Sequence, residues 1–363
     1  MTIPAISALI DTYNQAHFLE QALASVFEQD ISPSEMEIIV VDDGSTDDTA
    51  SIIRKFGARV LYLRKENGGQ ASAFNAAIPK TSAPIVAFLD ADDWWAPGKL
   101  RAVLDAFDKN PTIAAVGHGF FEVRGSAPPA EYLVPEKSCH LDLSSIDAVS
   151  TALAGCIFLG TSRLAVRRAV LDQIGPIPEE LVFCADMPIL TLAFALGGAV
   201  LLDKPLCYYR LHSENLFKFG PDDIAKARRK NEIVRCHLNI LPQRLAEVGV
   251  PPEVIAAFFA GNALELEHFR LRYDKASRID NFRAQRKTFL VDYKNATPGY
   301  KAFKWFVCLA TLLISPRRFY QVRDWYARKN FSRARKLVGD AEPVESQTFI
   351  HRRQIAVPNG LPK

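Results

Sequence analysis

Several common sequence signatures are missing from this chain of 363 residues. Its six cysteines, at positions 139, 156, 184, 207, 236 and 308, show no closely spaced pairs, which argues against a zinc ribbon and against a disulfide scaffold. No Gly-x-Gly-x-x-Gly follows the first apolar run, and the Gly-x-x-x-x-Gly-Lys-Ser/Thr pattern is absent. The chain therefore lacks the signatures of an ordinary Rossmann dinucleotide site and of a P-loop.

Charge and hydropathy argue against further classes. The net charge is +3 and the pI is near 8.4, values that do not indicate binding of nucleic acid over a large surface. The apolar stretch 302–314 is shorter than the ~20 residues that a bilayer-spanning helix needs. The amino terminus lacks the basic and apolar regions of a signal peptide, and Asp11 interrupts its first apolar run. We expect a cytoplasmic location, with peripheral contact at the inner face of a membrane as a further expectation.

Short apolar runs alternate with helical periodicity over the first 110 residues. The apolar runs begin near residues 6, 37, 60 and 85, and each is followed by a polar loop and a helix. This alternation predicts an α/β fold with a mostly parallel sheet and right-handed crossovers. We predict one domain over 1–215, divided near residue 110, a helical basic region over 216–338, and a loose tail over 339–363.

The loops that follow these strands carry acidic and amide side chains. Because parallel strands point the same way, the loops at Asp11, Asp42, Asn67 and Asp90 are predicted to meet at one end of the sheet, where α/β folds bind ligands. An acidic crevice is poorly suited to a bare phosphate. It suits a diphosphate bridged by a metal ion, with carboxylates that also accept hydrogen bonds from a ribose or a base.

Three acids follow the apolar run that starts at Ile85. Asp90 and Asp92 are two positions apart, so their carboxylates point the same way if the strand continues, and they could share one divalent cation. With Asp93 they would otherwise repel one another. The alternative is that these acids cap the helix that follows Pro97.

Weaker signals beyond residue 110 mark a second part of the site. The Pro-rich stretch around 127–135 is predicted to be a loop that crosses the site. Asp186 comes just before an apolar helix, and its alternative role is an N-cap. His212 follows a strand-like run, although a lone histidine is more commonly a satisfied surface residue than a ligand.

The carboxyl-terminal region has its own pattern. The stretch 302–314 contains Phe303, Trp305 and Phe306 and has basic residues on both sides. It is either a core helix or a helix that lies on an anionic membrane, with aromatic rings at headgroup level and basic side chains toward the phosphates. Basic residues continue to Lys336, so the predicted membrane contact covers 301–336.

Taken together, these motifs resemble the family 2 glycosyltransferases, which are inverting enzymes of the GT-A fold. The resemblance covers about the first 215 residues, and its motifs occur in the order of that family. They are Thr12-Tyr13-Asn14, Asp42-Asp43-Gly44-Ser45, Asn67-Gly68-Gly69-Gln70 leading to Asn75, Asp90-Ala91-Asp92-Asp93, Ala185-Asp186, and Tyr208-Tyr209-Arg210-Leu211-His212.

The resemblance implies roles for the amino-terminal motifs in nucleotide binding. Thr12 and Tyr13 would line the base pocket, and Asn14, Asn67 and Gly69 would also belong to the nucleotide-binding site. Asp42 would accept a hydrogen bond from the base, usually uracil, and Asp43 would support the loop.

The same resemblance implies a metal site and a catalytic base. Asp92 would be the direct ligand of Mg²⁺ or Mn²⁺, and Asp90 would contact the ribose and the metal through water, with His212 as a further metal candidate. Asp93 would serve the turn before Pro97. Asp186 would be the general base, although Ala185 replaces the acid that commonly precedes it in the family.

The expected reaction is transfer of a sugar from a nucleoside diphosphate, most simply UDP, to a hydroxyl of a glycan or lipid-linked acceptor, with inversion. Gly160, Thr161 and Ser162 would bound the acceptor site. The alternatives are a sugar-1-phosphate nucleotidyltransferase, a phosphatase with an Asp-x-Asp nucleophile, and a non-catalytic nucleotide-sugar or carbohydrate-binding protein. The first would be expected to have a Gly-rich basic loop after strand one, and the phosphatase to have its motif on that strand; neither is found.

Overall fold

Four parallel strands form the amino-terminal half of the sheet in the computed structural model. They are β1 (Ile6–Thr12), β2 (Met36–Asp42), β3 (Leu61–Arg64) and β4 (Ile85–Asp90), in the spatial order β4-β1-β2-β3. Most residues of β1, β2 and β4 are apolar and buried, as expected for parallel strands with helices on both faces. Their connecting helices are α1 (Ala16–Phe27), α2 (Thr49–Arg54) and α3 (Gln70–Ala77).

The other half of the sheet is mixed. Its strands are β5 (Trp94–Trp95), β6 (Ala115–Arg124), β7 (Glu131–Pro135), β8 (Cys139–Leu141), β9 (Ala165–Arg167) and β10 (Ala199–Leu211). Strand β9 lies antiparallel between β4 and β6 and so joins the two halves, while β10 runs parallel to β6. The helices of this half are α4 (Lys99–Lys109), α5 (Ile146–Gly155), α6 (Arg168–Ile174) and α7 (Asp186–Leu196). The predicted α/β fold is confirmed, because the strands β4-β1-β2-β3 pair in parallel and helices connect them.

Helices make up most of the described residues after β10. They include α8 (Ile224–Glu247), α9 (Pro252–Tyr273), α10 (Arg278–Asp292) and α11 (Pro298–Ala310), which confirms a helical carboxyl-terminal region. The structure describes residues 3–125, 128–129, 131–182, 184–212, 224–274, 276–292, 297–323 and 350–354. Within these ranges no helix combines the length and the apolar character that crossing a bilayer requires.

The chain divides into two compact units. The first comprises 1–227, 239–257 and 345–363, and the second comprises 228–238 and 258–344. The predicted boundary at residue 215 lies outside the described residues. In the second unit Leu271, Ala284, Phe319 and Tyr320 form a small buried cluster.

Two sequence predictions of irregular structure need correction. The stretch around 127–135 was expected to be a loop, but Glu131–Pro135 form β7, which pairs with β6. The tail over 339–363 was expected to be loose, but Ile350–Gln354 form β11, antiparallel to β7, and the other residues of this tail lie outside the described residues. Glu131–Pro135 and Ile350–Gln354 lack helical periodicity, and hydrogen bonding to a neighbouring strand gives these two strands their structure.

Candidate active site

The carboxyl ends of β1, β2 and β4 bring the predicted loops together. In the sheet register Asp11 lies beside Asp90, and Thr12 lies beside Asp42. The loop after β3 joins them, since the amide of Lys65 donates to the carbonyl of Asp42 at 3.0 Å. The prediction that these loops share one end of the sheet is therefore confirmed.

Asp90, Asp92 and Asp93 form a cluster that could hold a metal ion. One carboxylate oxygen of each lies within 4.8 Å of the others. Asp93 is buried, and its carboxylate accepts a 2.9 Å hydrogen bond from the backbone amide of Arg210. This side chain was expected to serve the turn before Pro97, and its position makes it a candidate ligand as well. His212 lies at the edge of the cluster, with its Nε2 3.0 Å from Oδ2 of Asp92.

Burial and mutual repulsion raise the pKa values of the carboxyl groups at this place. Burial raises the pKa of Asp11 to about 7, and the charge of Asp92 adds to the effect. Burial is also the main reason that the pKa of Asp93 rises to about 7 and that the pKa of Asp90 lies well above its ordinary value. Carboxylates that are crowded in this way favour a bound cation. The all-oxygen donor set fits Mg²⁺ or Mn²⁺.

Gln70 connects the acidic cluster to the second half of the domain. Its Nε2 donates to Oδ1 of Asp90 at 2.9 Å and to Oδ2 of Asp11 at 3.3 Å, while its Oε1 accepts from the amide of Ala185 at 3.1 Å. The sequence motif contained Gln70 but gave it no role. Its reach to a residue 115 positions away is visible only in the folded chain.

Asp186 begins helix α7 and points its carboxylate at the segment that precedes β9. The amide of Thr161 donates to its Oδ2 at 3.1 Å, and its Oδ1 is buried without a hydrogen-bond partner among the described residues. The N-cap position belongs to Ala185, so the alternative role of Asp186 as an N-cap is wrong. Burial raises the pKa of Asp186, and the nearby charge of Arg163 opposes that rise.

Arg163 was missed by the sequence analysis. Its guanidinium lies 4.5 Å from the ring centroid of Phe120 and 5.2 Å from that of Tyr209, so aromatic faces hold the charge in place. This charge lowers the pKa values of Asp93 and Asp186 against the effect of burial. In the sequence, Arg163 directly follows Gly160-Thr161-Ser162, and this position could have identified it as a candidate site residue.

Ser162, which was predicted to bound the acceptor site, is buried beside Asp90, and its acceptor role stays a prediction. Its side chain is 1% exposed, and its Oγ donates to Oδ2 of Asp90 at 3.3 Å and accepts from the amide of Asp90 at 3.1 Å. Its carbonyl accepts from Nζ of Lys99 at 2.8 Å and from Nε1 of Trp95 at 3.2 Å. Ser162 therefore supports Asp90 from inside the fold. Thr161 is also buried, and Gly160 is half-buried.

On the predicted nucleotide side, two neighbouring aspartates bind the protein itself. Asp42 is fully buried, and its carboxylate accepts from the amide of Ser45 and from the hydroxyl of Tyr62, each at 2.7 Å. Asp43 accepts from the amides of Gly68 and Gly69 at 3.0 and 2.6 Å. Asp43 thus ties the loop after β2 to the loop after β3. The contact of Asp42 with a base stays a prediction.

The first loop combines one exposed ring with anchored neighbours. Tyr13 is 47% exposed and Thr12 is buried. Asn14 has a positive φ of 54°, and its Oδ1 accepts from the amide of Thr46 at 2.8 Å. Asn14 therefore fixes the loop, while the surface of Tyr13 is available for a ligand. Nucleotide contacts by Thr12, Tyr13, Asn14 and Asn67 stay predictions.

Gly69 lies where two segments of backbone meet. Its φ is +86°, and a Cβ at this position would lie 2.7 Å from the Cα of Val182. The amide of Gln70 donates to the carbonyl of Val182 at 2.7 Å. A side chain is therefore excluded at Gly69 both by conformation and by space.

Comparison with known proteins identifies the fold and the family. The family model described as Glycosyl transferase family 2 matches residues 7–139, which contain the Asp42, Gln70 and Asp90–Asp93 motifs. A Nostoc protein described as an uncharacterized glycosyltransferase is 34% identical over 215 residues, which are 58% of this chain and 66% of that protein. Residues 7–139 of this chain therefore match glycosyl transferase family 2, and the cluster of Asp90, Asp92 and Asp93 lies within the matched region.

Solved structures support the same fold for this chain. TarS 1–349 of S. aureus, solved in complex with UDP-GlcNAc, aligns with a TM-score of 0.53 at 18% identity, over 88% of this chain and 91% of TarS 1–349. The mannosyltransferase PcManGT of Pyrobaculum calidifontis, solved with GDP-Man and Mn²⁺, aligns with a TM-score of 0.52 at 19% identity, over 90% and 85%. The match to the first three curated relatives spans 66%, 65% and 54% of their lengths.

Proposed function

We propose that this family 2 glycosyltransferase transfers a sugar from a nucleoside diphosphate, preferably UDP, to a hydroxyl of a glycan or lipid-linked acceptor, with inversion. The proposal rests on how two groups of carboxylates are connected. Gln70 donates to Asp11 and Asp90, which lie with Asp92 and Asp93 at the strand ends, and it accepts from the amide of Ala185. Asp186 follows Ala185 and accepts from the amide of Thr161. One group of carboxylates fits a cation, and a separate carboxylate can accept a proton. Nucleotide sugars bound to TarS and PcManGT support the choice of donor class.

The metal role falls to the carboxylates after β4. Asp92 would hold Mg²⁺ or Mn²⁺ directly, Asp93 would assist, and Asp90 would contact the hydrated ion and the ribose. When bound, the cation neutralises negative charge that develops on the departing diphosphate. Gln70 and Ser162 hold the Asp90 carboxylate from two sides, so its oxygens are oriented before the donor arrives.

The proton from the acceptor hydroxyl would go to Asp186. An acceptor oxygen becomes a good nucleophile only if it loses its proton as it attacks the anomeric carbon. Burial raises the pKa of Asp186 and so makes it a stronger base, while the charge of Arg163 limits this rise and favours the ionised carboxylate that can accept a proton. A single displacement from the face opposite the diphosphate inverts the anomeric configuration, so no covalent enzyme intermediate is needed.

Calorimetric titration tests the donor and the cation. UDP, GDP and their glucose, N-acetylglucosamine and mannose derivatives should be titrated with and without Mn²⁺. We expect UDP compounds to bind best and Mn²⁺ to tighten binding at least tenfold. Tighter binding of GDP than of UDP would contradict the proposal that the donor carries uracil. Equal affinity with and without Mn²⁺ would contradict the proposed metal role.

The base is tested separately with Asp186→Asn. We expect donor and Mn²⁺ affinity within about threefold of wild type and transfer reduced by about 10²–10⁴-fold. Asp172→Asn, at an exposed acid on α6, serves as the matched control. Loss of donor affinity in Asp186→Asn would make Asp186 a structural residue. Retained anomeric configuration in the product would contradict the single displacement.

A further inference from the structure

The second unit exposes large apolar side chains on and just after helix α11. Phe306 is 69% exposed and Leu313 is 78% exposed, and more than a third of the surface is exposed in five neighbours, namely Tyr300, Phe303, Trp305, Leu309 and Leu312. Isolated exposed apolar residues are common, but a dense group of this kind marks an interaction site. We name the part formed by Phe303, Phe306, Leu309 and Leu313 the apolar ridge.

The apolar ridge is distinct from the side of α11 that packs inside the unit. Cys308 and Thr311 are buried, and Val307 and Ile314 pack against the cluster that contains Leu271. Phe303, Phe306 and Leu309 follow at intervals of three residues, a spacing that places them along one side of a helix. The alternative that 302–314 is a core helix therefore does not hold for these side chains.

The chain segment that carries the apolar ridge has charged side chains of one sign. Residues 297–323 contain Lys301, Lys304, Arg317, Arg318 and Arg323 and no aspartate or glutamate. Arg317 and Arg318 are exposed. A partner of this surface must therefore offer both an apolar layer and negative charge at its edge.

We propose that the apolar ridge enters the interfacial layer of a lipid bilayer rich in anionic lipid. Acyl chains would cover Phe306 and Leu313, and lipid phosphates would meet Arg317 and Arg318. A second copy of this chain is a poorer occupant, because pairing of two such surfaces would bring like charges together. The described part of the chain contains no membrane-spanning helix, so contact by this surface would lie in the plane of the interface. The basic residues that continue to Lys336 lie outside the described residues.

This inference goes beyond the proposed transferase function and can be tested without donor or acceptor. The full chain should be sedimented with vesicles of pure phosphatidylcholine and with vesicles that contain 30% phosphatidylglycerol. We expect at least tenfold stronger partitioning onto the anionic vesicles. We also expect that binding weakens as salt concentration rises, since the phosphate contacts are screened.

Two variants separate the apolar and the charged contributions. Phe306→Ser combined with Leu313→Ser should lower the partition coefficient at least tenfold. Arg317→Gln combined with Arg318→Gln should lower it about three- to tenfold, on anionic vesicles alone. Leu61→Ser, at a half-exposed apolar residue of β3 in the first unit, is the control and should bind as wild type does. Circular dichroism should be unchanged in all variants, because the altered side chains are exposed.

Two results would overturn the proposal. Vesicle binding that is equal in wild type and in the apolar double variant would show that the ridge does not enter lipid. A lipid-free dimer, detected by light scattering and lost in the same variant, would assign the ridge to a second copy instead. Neither result would bear on donor binding or on the role of Asp186.

Discussion

The acidic cluster at the strand ends and the apolar ridge on α11 depart from ordinary side-chain placement in opposite ways. In the first, the carboxyl groups of Asp11, Asp90 and Asp93 are held inside the fold with raised pKa values. In the second, Phe306 and Leu313 extend into solvent. Charged groups inside and apolar groups outside both leave an interaction unsatisfied. The comparison teaches that each region requires a different kind of partner, a cation in one case and an apolar layer in the other.

The two departures also differ in what they cost the fold. Buried carboxylates destabilise the folded chain unless a cation or a proton compensates them. An exposed phenylalanine costs folding little, because the same ring is also exposed in the unfolded chain. Variants in the two regions should therefore change different quantities.

Asp92→Asn should have the largest effect. Transfer should fall by about 10²–10³-fold, since a group that stabilises developing charge is removed. The metal-free variant should melt at a higher temperature than wild type, because the charge of Asp92 contributes to the raised pKa values of Asp11, Asp90 and Asp93. Asp108→Asn, at an exposed acid of α4, should change neither quantity. Unchanged turnover in Asp92→Asn would remove Asp92 from the metal site.

Gly69→Ala should destabilise the domain by about 2–4 kcal/mol, measured by denaturant unfolding. A methyl group there would meet the backbone of Val182 as well as an unfavourable φ. Gly57→Ala is the matched control, since its φ is +59° but no atom lies within 4 Å of the added carbon. Its cost should be about 1 kcal/mol. Equal losses of stability in Gly69→Ala and Gly57→Ala would show that contact between the added methyl group and Val182 does not destabilise the domain.

Lys99→Met should change how stability depends on pH. Burial lowers the pKa of Lys99 to about 7. Between about pH 7 and pH 10 the unfolded chain keeps a proton that the folded chain has lost, so the free energy of unfolding rises with pH. Between pH 7.5 and 9.5 this rise should be about 2–2.5 kcal/mol larger in wild type than in Lys99→Met. Lys109→Met, at an exposed lysine on the same helix, should behave as wild type. Identical pH dependence in all three proteins would mean that Lys99 stays protonated in the fold.

The smallest effect is expected on the apolar ridge. Leu313→Ser should change the free energy of unfolding by less than about 0.5 kcal/mol, because the side chain is exposed. Leu271→Ala, in the buried cluster of the same unit, should cost about 2–5 kcal/mol. A large loss of stability in Leu313→Ser would mean that this leucine packs against protein.

Local sequence patterns were sufficient for the elements that position the site. The continuous apolar runs of β1, β2 and β4 and the acids behind them predicted the parallel sheet and the meeting of Asp11 with Asp90. The segment Glu131–Pro135 was missed as a strand because its structure depends on pairing with β6, and a Pro-rich neighbourhood hides that pairing. The catalytic assignment of Asp186 came from resemblance, since a single acid before a helix also fits a cap.

Residues that act across long chain separations could not be predicted. Arg163 gains its position from Phe120 and Tyr209, which come from different strands. Lys99 reaches the carbonyl of Ser162 from 63 positions away. Phe74 is fully buried against Phe88, which follows it by 14 positions on a different element. Contacts between residues that lie far apart in the chain leave no local sequence pattern from which they could be predicted.

The bridge made by Gln70 limits which amino acids this position can accept. One end of its amide donates to Asp90 and Asp11, and the other end accepts from the amide of Ala185. Glutamate has the same shape but would add another negative charge to the cluster, asparagine is one methylene too short, and methionine offers neither donor nor strong acceptor. Any natural variant that loses Gln70 would therefore need a compensating change in Asp11 or in the segment around Ala185 before it could keep the same site.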